Sequence, residues 1–157
     1  MPALNVVYFM SLPGLLKPII FVLQFIVLIC LASVPGDCAA AFGWLFWLVL
    51  IVSLLVIFIA SAMILFGFWD NMPFNKPFVE FVYSGAFTVA SGLCALISLI
   101  TAIDIGCGGS AFGAATFFWI MLTAAFGLNA FGHYQQWKTG DTSVMPPAGG
   151  PSPHGGV

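Results

Sequence analysis

Charged residues are so sparse in this chain that they divide it into four long uncharged runs. The runs cover residues 18–36, 38–69, 81–103 and 105–137. A helix rises 1.5 Å per residue and needs about 20 residues to cross the hydrocarbon core of a bilayer. Each run is therefore long enough to cross a membrane once, and none is long enough to cross twice with a turn. The pattern predicts four transmembrane helices.

The composition excludes a water-soluble fold. Charged residues make up 5% of the 157 residues, whereas soluble globular proteins contain roughly 25%. Hydrophobic residues make up 62%, and they form continuous runs without alternation, which favours helices over the strands of a membrane barrel. We therefore predict an all-α membrane protein, a four-transmembrane-helix bundle with spans at about residues 16–34, 42–68, 80–103 and 111–133.

The three lysines predict the orientation of the bundle. With four crossings, Lys17, Lys76 and Lys138 fall on one side of the membrane, and the two loops on the other side contain no basic residue. Basic residues favour the cytosolic side, so both termini are predicted to be cytosolic. A cleaved signal peptide with residues 19–32 as its apolar core is the alternative, but one lysine makes a weak basic region for it.

Few residues are available for chemistry or for binding charged partners. The net charge is −2 and the chain has no arginine, so it lacks the basic patch that nucleic acids require. Its five acidic residues and two histidines are scattered along the sequence without the spacing of a metal site. We therefore expect no nucleic-acid partner, no metal, no cofactor and no catalytic residue, and we expect that the protein is not an enzyme.

Short segments flank the predicted helical domain, which covers residues 12–137. Residues 1–11 form a cytosolic N-terminal segment in this interpretation. Residues 138–157 are rich in proline and glycine, a composition typical of disorder, and are predicted to form a disordered cytosolic tail. Such a tail can bind SH3-like or WW-like modules, although an inert tail fits so weak a pattern better.

Two cysteines fall in the loops that are predicted to lie on the outer side. Cys38 is in the first of these loops and Cys107 is in the second, where an oxidising environment permits a disulfide. A bridge would connect the start of the second helix to the start of the fourth. Two free thiols, or acylation of one of them, fit the sequence equally well, because sequence spacing does not give the Cα separation that a disulfide needs.

Two acidic residues mark the predicted ends of the third span. Glu80 follows Pro77 in the first turns of that helix, where a carboxylate interacts favourably with the helix dipole. Asp104 lies at the opposite end, where solvation at the outer interface accounts for it. We interpret both as interface acids, and we expect the stem of Lys17 to extend toward the interface. An intramembrane role for Glu80 is the alternative, because ionisable groups within a span are functional candidates.

Gln24 and Asn129 are the strongest polar amides that the four spans would bury. Gln24 lies seven residues after Lys17, and Asn129 lies nine residues before Lys138, so both sit at similar depth near the cytosolic leaflet. We predict that they form hydrogen bonds between helices, each contributing on the order of 1 kcal/mol. A polar path through the membrane is the alternative.

Small residues indicate where helices approach one another closely. Ser84, Thr88 and Gly92 follow at four-residue spacing on one face of the third helix, while Gly109 and Gly113 open the fourth. Small side chains permit close backbone packing in lipid. They are expected to serve packing within the bundle at least as much as the binding of partners.

Several short motifs occur in a fixed order along residues 12–137. Gly14-Leu15-Leu16-Lys17 precedes the first span, with Gln24 inside it, and Pro77-Phe78-Val79-Glu80 leads into the third span. Gly85, residues 111–118 and Tyr134 follow. In this order the chain resembles MARVEL-domain proteins, most closely the chemokine-like factor (CKLF-like) group of MARVEL transmembrane proteins and the MAL-like proteins. It departs from them before Pro77, where Asn75 and Lys76 replace the tryptophan of the family.

The resemblance implies a non-enzymatic protein of vesicle trafficking and of the organisation of cholesterol-rich membrane, located in the plasma membrane or in trafficking vesicles. Its expected partners are membrane lipids and other integral membrane proteins, bound laterally, and a homo-oligomer is compatible with it. A small channel or transporter, or an accessory subunit of a membrane complex, is the alternative. For a channel, only Gln24, Asn129 and a few hydroxyl groups supply polar side chains within the spans.

Overall fold

The computed structural model describes residues 12–34, 43–103 and 109–139. Within these ranges the chain is helical and forms no strand. Four helices are each long and apolar enough to cross a membrane, which confirms the prediction of an all-helical, four-span protein for this part of the chain. The predicted N-terminal segment and nearly all of the predicted tail lie outside the described residues. The helices are α1, Leu12–Ala32; α2, Gly43–Leu65; α3, Lys76–Ile103; and α4, Gly109–Thr139.

The helix ends differ from the predicted spans for local reasons. α2 ends at Leu65 because Gly67 follows with φ 72°, a left-handed conformation that glycine adopts without the steric cost of a Cβ. A short 3-10 helix, Phe68–Asn71, continues the chain. α3 begins earlier than predicted, with Pro77 in its first turn, where the missing N–H of proline costs no hydrogen bond.

α4 continues six residues beyond its predicted end at residue 133, and aromatic packing accounts for the extension. Its last turns carry Tyr134 and Trp137, whose rings lie 5.3 Å from Phe81 and Phe78 of α3, respectively. Aromatic pairs at this separation stabilise a contact beyond the area that they bury. The packing therefore holds the C-terminal turns of α4 against the first turns of α3.

The core of the bundle lies where α4 packs against both α3 and α1, and α2 packs mainly beside α1. The ring of Phe46 from α2 stacks near Trp119 of α4, with 6.3 Å between centroids. This contact brings α2 onto the same core. The large apolar side chains that are exposed by no more than 2% are Ile20, Val27, Phe46, Leu50, Ile57, Ile64, Phe112, Trp119, Leu122 and Phe126.

The polarity of the described residues is reversed relative to a soluble bundle. The outward faces of all four helices present large apolar side chains, such as Ile29, Phe58, Val89, Ile100 and Leu128, each at least half exposed. Several polar and charged side chains are instead buried among the helices. In lipid this arrangement is favourable, because the acyl chains solvate the outer surface while most of the polar side chains inside have hydrogen-bond partners within the bundle. The buried polar set is Lys17, Gln24, Ser53, Glu80, Ser84, Ser91, Ser98, Thr116, Asn129 and His133.

Candidate functional site

Lys17 of α1 and Glu80 of α3 form an ion pair inside the bundle. Lys17 Nζ donates hydrogen bonds of 2.8 Å to both Oε1 and Oε2 of Glu80. The two side chains are only 0% and 2% exposed. This corrects the interpretation of Glu80 as an interface acid and of Lys17 as a side chain that extends toward the interface. The two charged groups neutralise each other inside the bundle.

Two further side chains complete the group around the Glu80 carboxylate. The hydroxyl of Tyr83, one turn further along α3, donates a hydrogen bond to Glu80 Oε2 and accepts one of 3.0 Å from Lys17 Nζ. His133 of α4 is 6% exposed, and its Nε2 lies 3.4 Å from Glu80 Oε2. We refer to Lys17, Glu80, Tyr83 and His133 as the Glu80 cluster.

The cluster lies at one end of the bundle. Lys17 is in the second turn of α1, Glu80 is in the second turn of α3, and His133 is in the second turn from the end of α4. Consecutive helices of an up-and-down bundle run antiparallel, so the starts of α1 and α3 and the end of α4 share one end. The cluster therefore joins three helices within two turns of the bundle surface.

The electrostatics of the cluster are balanced. An isolated charge within a bilayer is costly, but the Lys17 ammonium and the Glu80 carboxylate are in direct contact and cancel when His133 is neutral. Lys17 Nζ also lies 5.8 Å from the centre of the Tyr83 ring, a favourable cation–π distance. The chemistry that these four side chains offer is acid–base chemistry, because each of them can gain or lose a proton.

A layer of amide–serine hydrogen bonds lies next to the Glu80 cluster. Asn129, one turn before His133, donates a 2.7 Å hydrogen bond to Ser84 Oγ, one turn after Glu80. Gln24 donates a 2.6 Å hydrogen bond to Ser53 Oγ of α2. Both amides are fully buried, and each bonds a neighbouring helix, α4 to α3 and α1 to α2. Sequence reasoning placed the two amides at similar depth, and the structure bonds each to a serine.

A seam of serines continues along the interface between α3 and α4. Ser84, Ser91 and Ser98 recur every seven residues, which is about two helical turns, and all three are buried. Ser91 Oγ accepts a 3.0 Å hydrogen bond from Thr123 Oγ1, and Ser98 Oγ donates one of 3.0 Å to the backbone oxygen of Phe112. The seam therefore joins the two helices by polar contacts at three levels.

The predicted small face of α3 lies against α4. Thr88 Cγ2 is 3.7 Å from the position that a Cβ on Gly127 would occupy, and a Cβ on Gly92 would lie 3.8 Å from Thr123 Cγ2. Thr88 also donates a hydrogen bond to the backbone oxygen of Ser84. Ser84, Thr88 and Gly92 thus belong to packing within the bundle.

The remaining predicted residues lie at the loops or at the start of α4. A Cβ on Gly109 would approach a backbone oxygen of α3 at 3.3 Å, whereas a Cβ on Gly113 would meet no atom within 4 Å. Gly113 is exposed and makes no close helix contact within the described part of the chain. Cys38, Cys107 and Asp104 lie outside the described residues, so the disulfide and the outer acid stay predictions.

Tyr83 and His133 of the Glu80 cluster were not predicted, nor was Ser53, the partner of Gln24. The available signal was helical spacing, since Tyr83 follows Glu80 by three residues and His133 follows Asn129 by four. Residues at these spacings share a helix face. The helix face that carries Glu80 therefore also carries Tyr83, and the face that carries Asn129 also carries His133. Ser53 has no comparable signal, because its partner Gln24 is on another helix.

Within the described residues, no group of three or more histidine, cysteine, aspartate or glutamate side chains is placed to hold a metal ion. Comparison of the chain with models of protein families, with curated proteins and with solved structures gives no match. The resemblance to MARVEL-domain proteins therefore rests on the sequence motifs.

Proposed function

We propose that the protein is a non-enzymatic, MARVEL-like tetraspan that acts by lateral contact of its helices with lipids and with other integral membrane proteins. In this proposal both termini are cytosolic, and the protein serves vesicle trafficking or membrane organisation in the plasma membrane or in trafficking vesicles. The observation that carries it is the reversed polarity of the bundle. The surface available to partners is apolar, because the polar side chains within the helices are largely bonded to one another.

The outward face of α3 illustrates this surface. Val82, Val89, Leu96 and Ile103 recur every seven residues, and each is at least half exposed. The opposite face of the same helix carries the serine seam and Glu80. Because lipid tails are as apolar as these side chains, partners that bind here are expected to be acyl chains or the apolar helices of other membrane proteins.

The Glu80 cluster supports the MARVEL-like part of the proposal. Gly14-Leu15-Leu16-Lys17 and Pro77-Phe78-Val79-Glu80 were separate short motifs in the sequence. Their charged residues, 63 positions apart, make the shortest charged contact between α1 and α3 that the structure describes. The ion pair between Lys17 and Glu80 joins the two motifs, which gives a physical reason for both to occur in one domain.

Site-specific photo-crosslinking in living cells tests the lateral function. Benzoylphenylalanine is introduced at Val89, which is 66% exposed, and in a matched variant at Ala95 of the same helix, which is 7% exposed. We expect the probe at Val89 to form adducts with lipids and with a reproducible set of integral membrane proteins. The probe at Ala95 should react only within the bundle, since its surroundings are other helices of the chain.

Either of two results would contradict the proposal. The first is that Val89 and Ala95 probes capture the same proteins, which would mean that capture does not depend on the outward face. The second is that the Val89 probe captures soluble proteins in place of lipids and membrane proteins. Circular dichroism of each purified variant checks that the helices are intact.

A small channel or transporter is the second candidate, because Lys17, Glu80 and His133 lie within membrane-spanning helices. Ionisable groups in such positions often belong to ion or proton pathways. The internal pairing of the cluster favours the first proposal, since Lys17 and Glu80 are fully engaged with each other and nearly inaccessible. Ion and proton flux into liposomes that contain the purified protein separates the two. We expect no flux above that of protein-free liposomes. Flux that is lost in a Glu80→Gln variant whose circular dichroism stays helical would establish the second candidate.

A further inference from the structure

His133 is the member of the Glu80 cluster that has capacity for another proton. Its two ring nitrogens are buried, and neither has a partner at ordinary hydrogen-bond geometry. The nearest acceptor is Glu80 Oε2 at 3.4 Å, and the side chain of Gln136 lies beside the ring. A neutral imidazole keeps one nitrogen lone pair, which can accept a proton without breaking an existing strong bond.

The Glu80 carboxylate has room to receive the charged form of that ring. Two oxygens offer about four acceptor positions. Lys17 occupies one position on each oxygen, and the hydroxyl of Tyr83 occupies another on Oε2. The position left is on Oε1, whereas His133 Nε2 lies 3.4 Å from Oε2. An imidazolium there is held by the charge of the carboxylate, and a direct charge-assisted hydrogen bond requires the ring to turn toward Oε1 or Tyr83 to release Oε2.

The distance from the cluster to water is short. Lys17, Glu80 and His133 each lie in the second turn from one end of their helices, and these ends meet at the same end of the bundle. Two helical turns are roughly 11 Å, which is the depth that a proton has to cross to reach the cluster.

We propose that the Glu80 cluster is a reversible proton-binding site within the bundle, in which His133 takes up one proton from water and Glu80 holds the resulting imidazolium. The proton leaves a hydronium ion, an N–H bond forms at the free ring nitrogen, and the charge of the cluster rises from 0 to +1. Lys17 and Glu80 keep their own charges. The cluster lies within two turns of one end of the bundle, so in this proposal it exchanges protons with the water at that end.

The groups that surround His133 are few, which makes the site simple to test. α1 contributes Lys17, and α2 has no titratable side chain. α3 contributes Glu80, Tyr83 and, one turn before Glu80, the partly buried Lys76. On α4 itself, Tyr134 is adjacent in sequence and Lys138 is exposed. Glu80 is the only glutamate in the chain, and His154 is the only other histidine, so isotope labels on these two residue types report almost solely on the cluster.

Nuclear magnetic resonance of the full chain in detergent micelles provides the measurement. The protein carries ¹⁵N-labelled histidine and glutamate labelled with ¹³C at its carboxyl carbon, and the pH is varied from 5 to 8.5. His154→Asn identifies the His133 signals. We expect the His133 nitrogens to titrate reversibly with one proton, and the single Glu80 carboxyl signal to move with the same midpoint as His133.

The result that would overturn the proposal is a His133 signal that stays constant over this range, or a Glu80 signal that does not follow it. Neither outcome depends on a variant of the cluster, so misfolding cannot imitate it. Glu80→Gln in the His154→Asn background is the second test. Removal of the carboxylate is expected to lower the His133 midpoint by at least one pH unit, a tenfold change in proton affinity. An unchanged midpoint in a helical, monodisperse sample would show that Glu80 does not hold the imidazolium.

Discussion

Lys17 Nζ is 2.8 Å from each carboxylate oxygen of Glu80, although 63 residues separate the two positions in the chain. α1 and α3 make few other contacts, because each packs mainly against α4. The ion pair is therefore a bond across the bundle that fixes how α1 sits relative to the α3–α4 pair. Its burial at 0% and 2% exposure makes each charge dependent on the other.

Glu80→Gln is expected to destabilise the bundle strongly. The substitution leaves the ammonium of Lys17 buried without its counter-charge, and loss of one partner of a buried pair typically costs about 3–5 kcal/mol. Titration with sodium dodecyl sulfate in mixed micelles, followed by tryptophan fluorescence, gives the free energy of unfolding.

The double variant Lys17→Met with Glu80→Gln is the matched control. It removes both charges and keeps similar volume, so it should lose clearly less stability than Glu80→Gln alone, because no uncompensated charge is left. A double variant that is as unstable as the single one would mean that the packing of these side chains matters, and their charges do not.

Asn129→Leu is expected to weaken the contact between α3 and α4. The substitution removes the 2.7 Å hydrogen bond to Ser84 Oγ, and hydrogen bonds of this kind within membranes contribute about 1 kcal/mol. A double-mutant cycle with Ser84→Ala isolates the interaction between the two side chains. A second cycle with Gln24→Leu and Ser53→Ala measures the bond between α1 and α2 independently. Coupling energies near zero in both cycles would show that these bonds do not stabilise the helix contacts.

The helices were predictable because hydropathy alone is sufficient to identify them. An uncharged run of about 20 residues has one stable conformation in hydrocarbon, since a helix satisfies every backbone hydrogen bond within the segment. The ends of α2 and α4 were less predictable. Gly67 shortens α2 through its left-handed backbone, and contacts of Tyr134 and Trp137 with α3 lengthen α4. Such effects depend on tertiary structure.

The Glu80 cluster was not predicted by local reasoning, because each of its two charged members, Lys17 and Glu80, had a sufficient local explanation. A helix N-terminus accounted for the charge of Glu80, and a membrane interface accounted for that of Lys17. Local reasoning therefore assigned no partner to either residue. The sequence nevertheless carried the relevant signal. Lys17 and Glu80 have opposite charges, and the predicted topology placed both near the same end of the bundle. A comparison of the depths of the charged residues across helices would have predicted the pair. Helical spacing places His133 on the face of Asn129, but its contact with Glu80 depends on the tertiary structure.

Gly92→Leu is expected to destabilise the α3–α4 interface, while Gly113→Leu should not. A Cβ on Gly92 would already lie 3.8 Å from Thr123 Cγ2, so a longer side chain must displace α4, at a cost of about 1–3 kcal/mol. Gly113 is the matched control, because a Cβ at this glycine would meet no atom within 4 Å. Thermal unfolding of both variants in the same detergent makes the comparison. Equal destabilisation of the two variants would mean that the close approach of α3 and α4 at Gly92 does not determine the effect.

Cys38 and Cys107 are expected to lie on the side of the membrane opposite to the three lysines, and to be accessible there either as thiols or as a disulfide. Cys30 and Cys94, the described cysteines, are in helices and form no disulfide. They serve as internal references for the labelling of thiols inside the bundle. An impermeant maleimide applied to intact cells, before and after mild reduction, distinguishes the states. Labelling only after reduction, with a peptide that joins Cys38 to Cys107 in mass spectrometry, would establish the bridge. Labelling without reduction would establish that the outer cysteines are free thiols.

The same labelling also tests the orientation of the bundle. If neither treatment gives labelling in intact cells but permeabilised cells are labelled, the predicted orientation is wrong, and the side that carries the lysines must face outward.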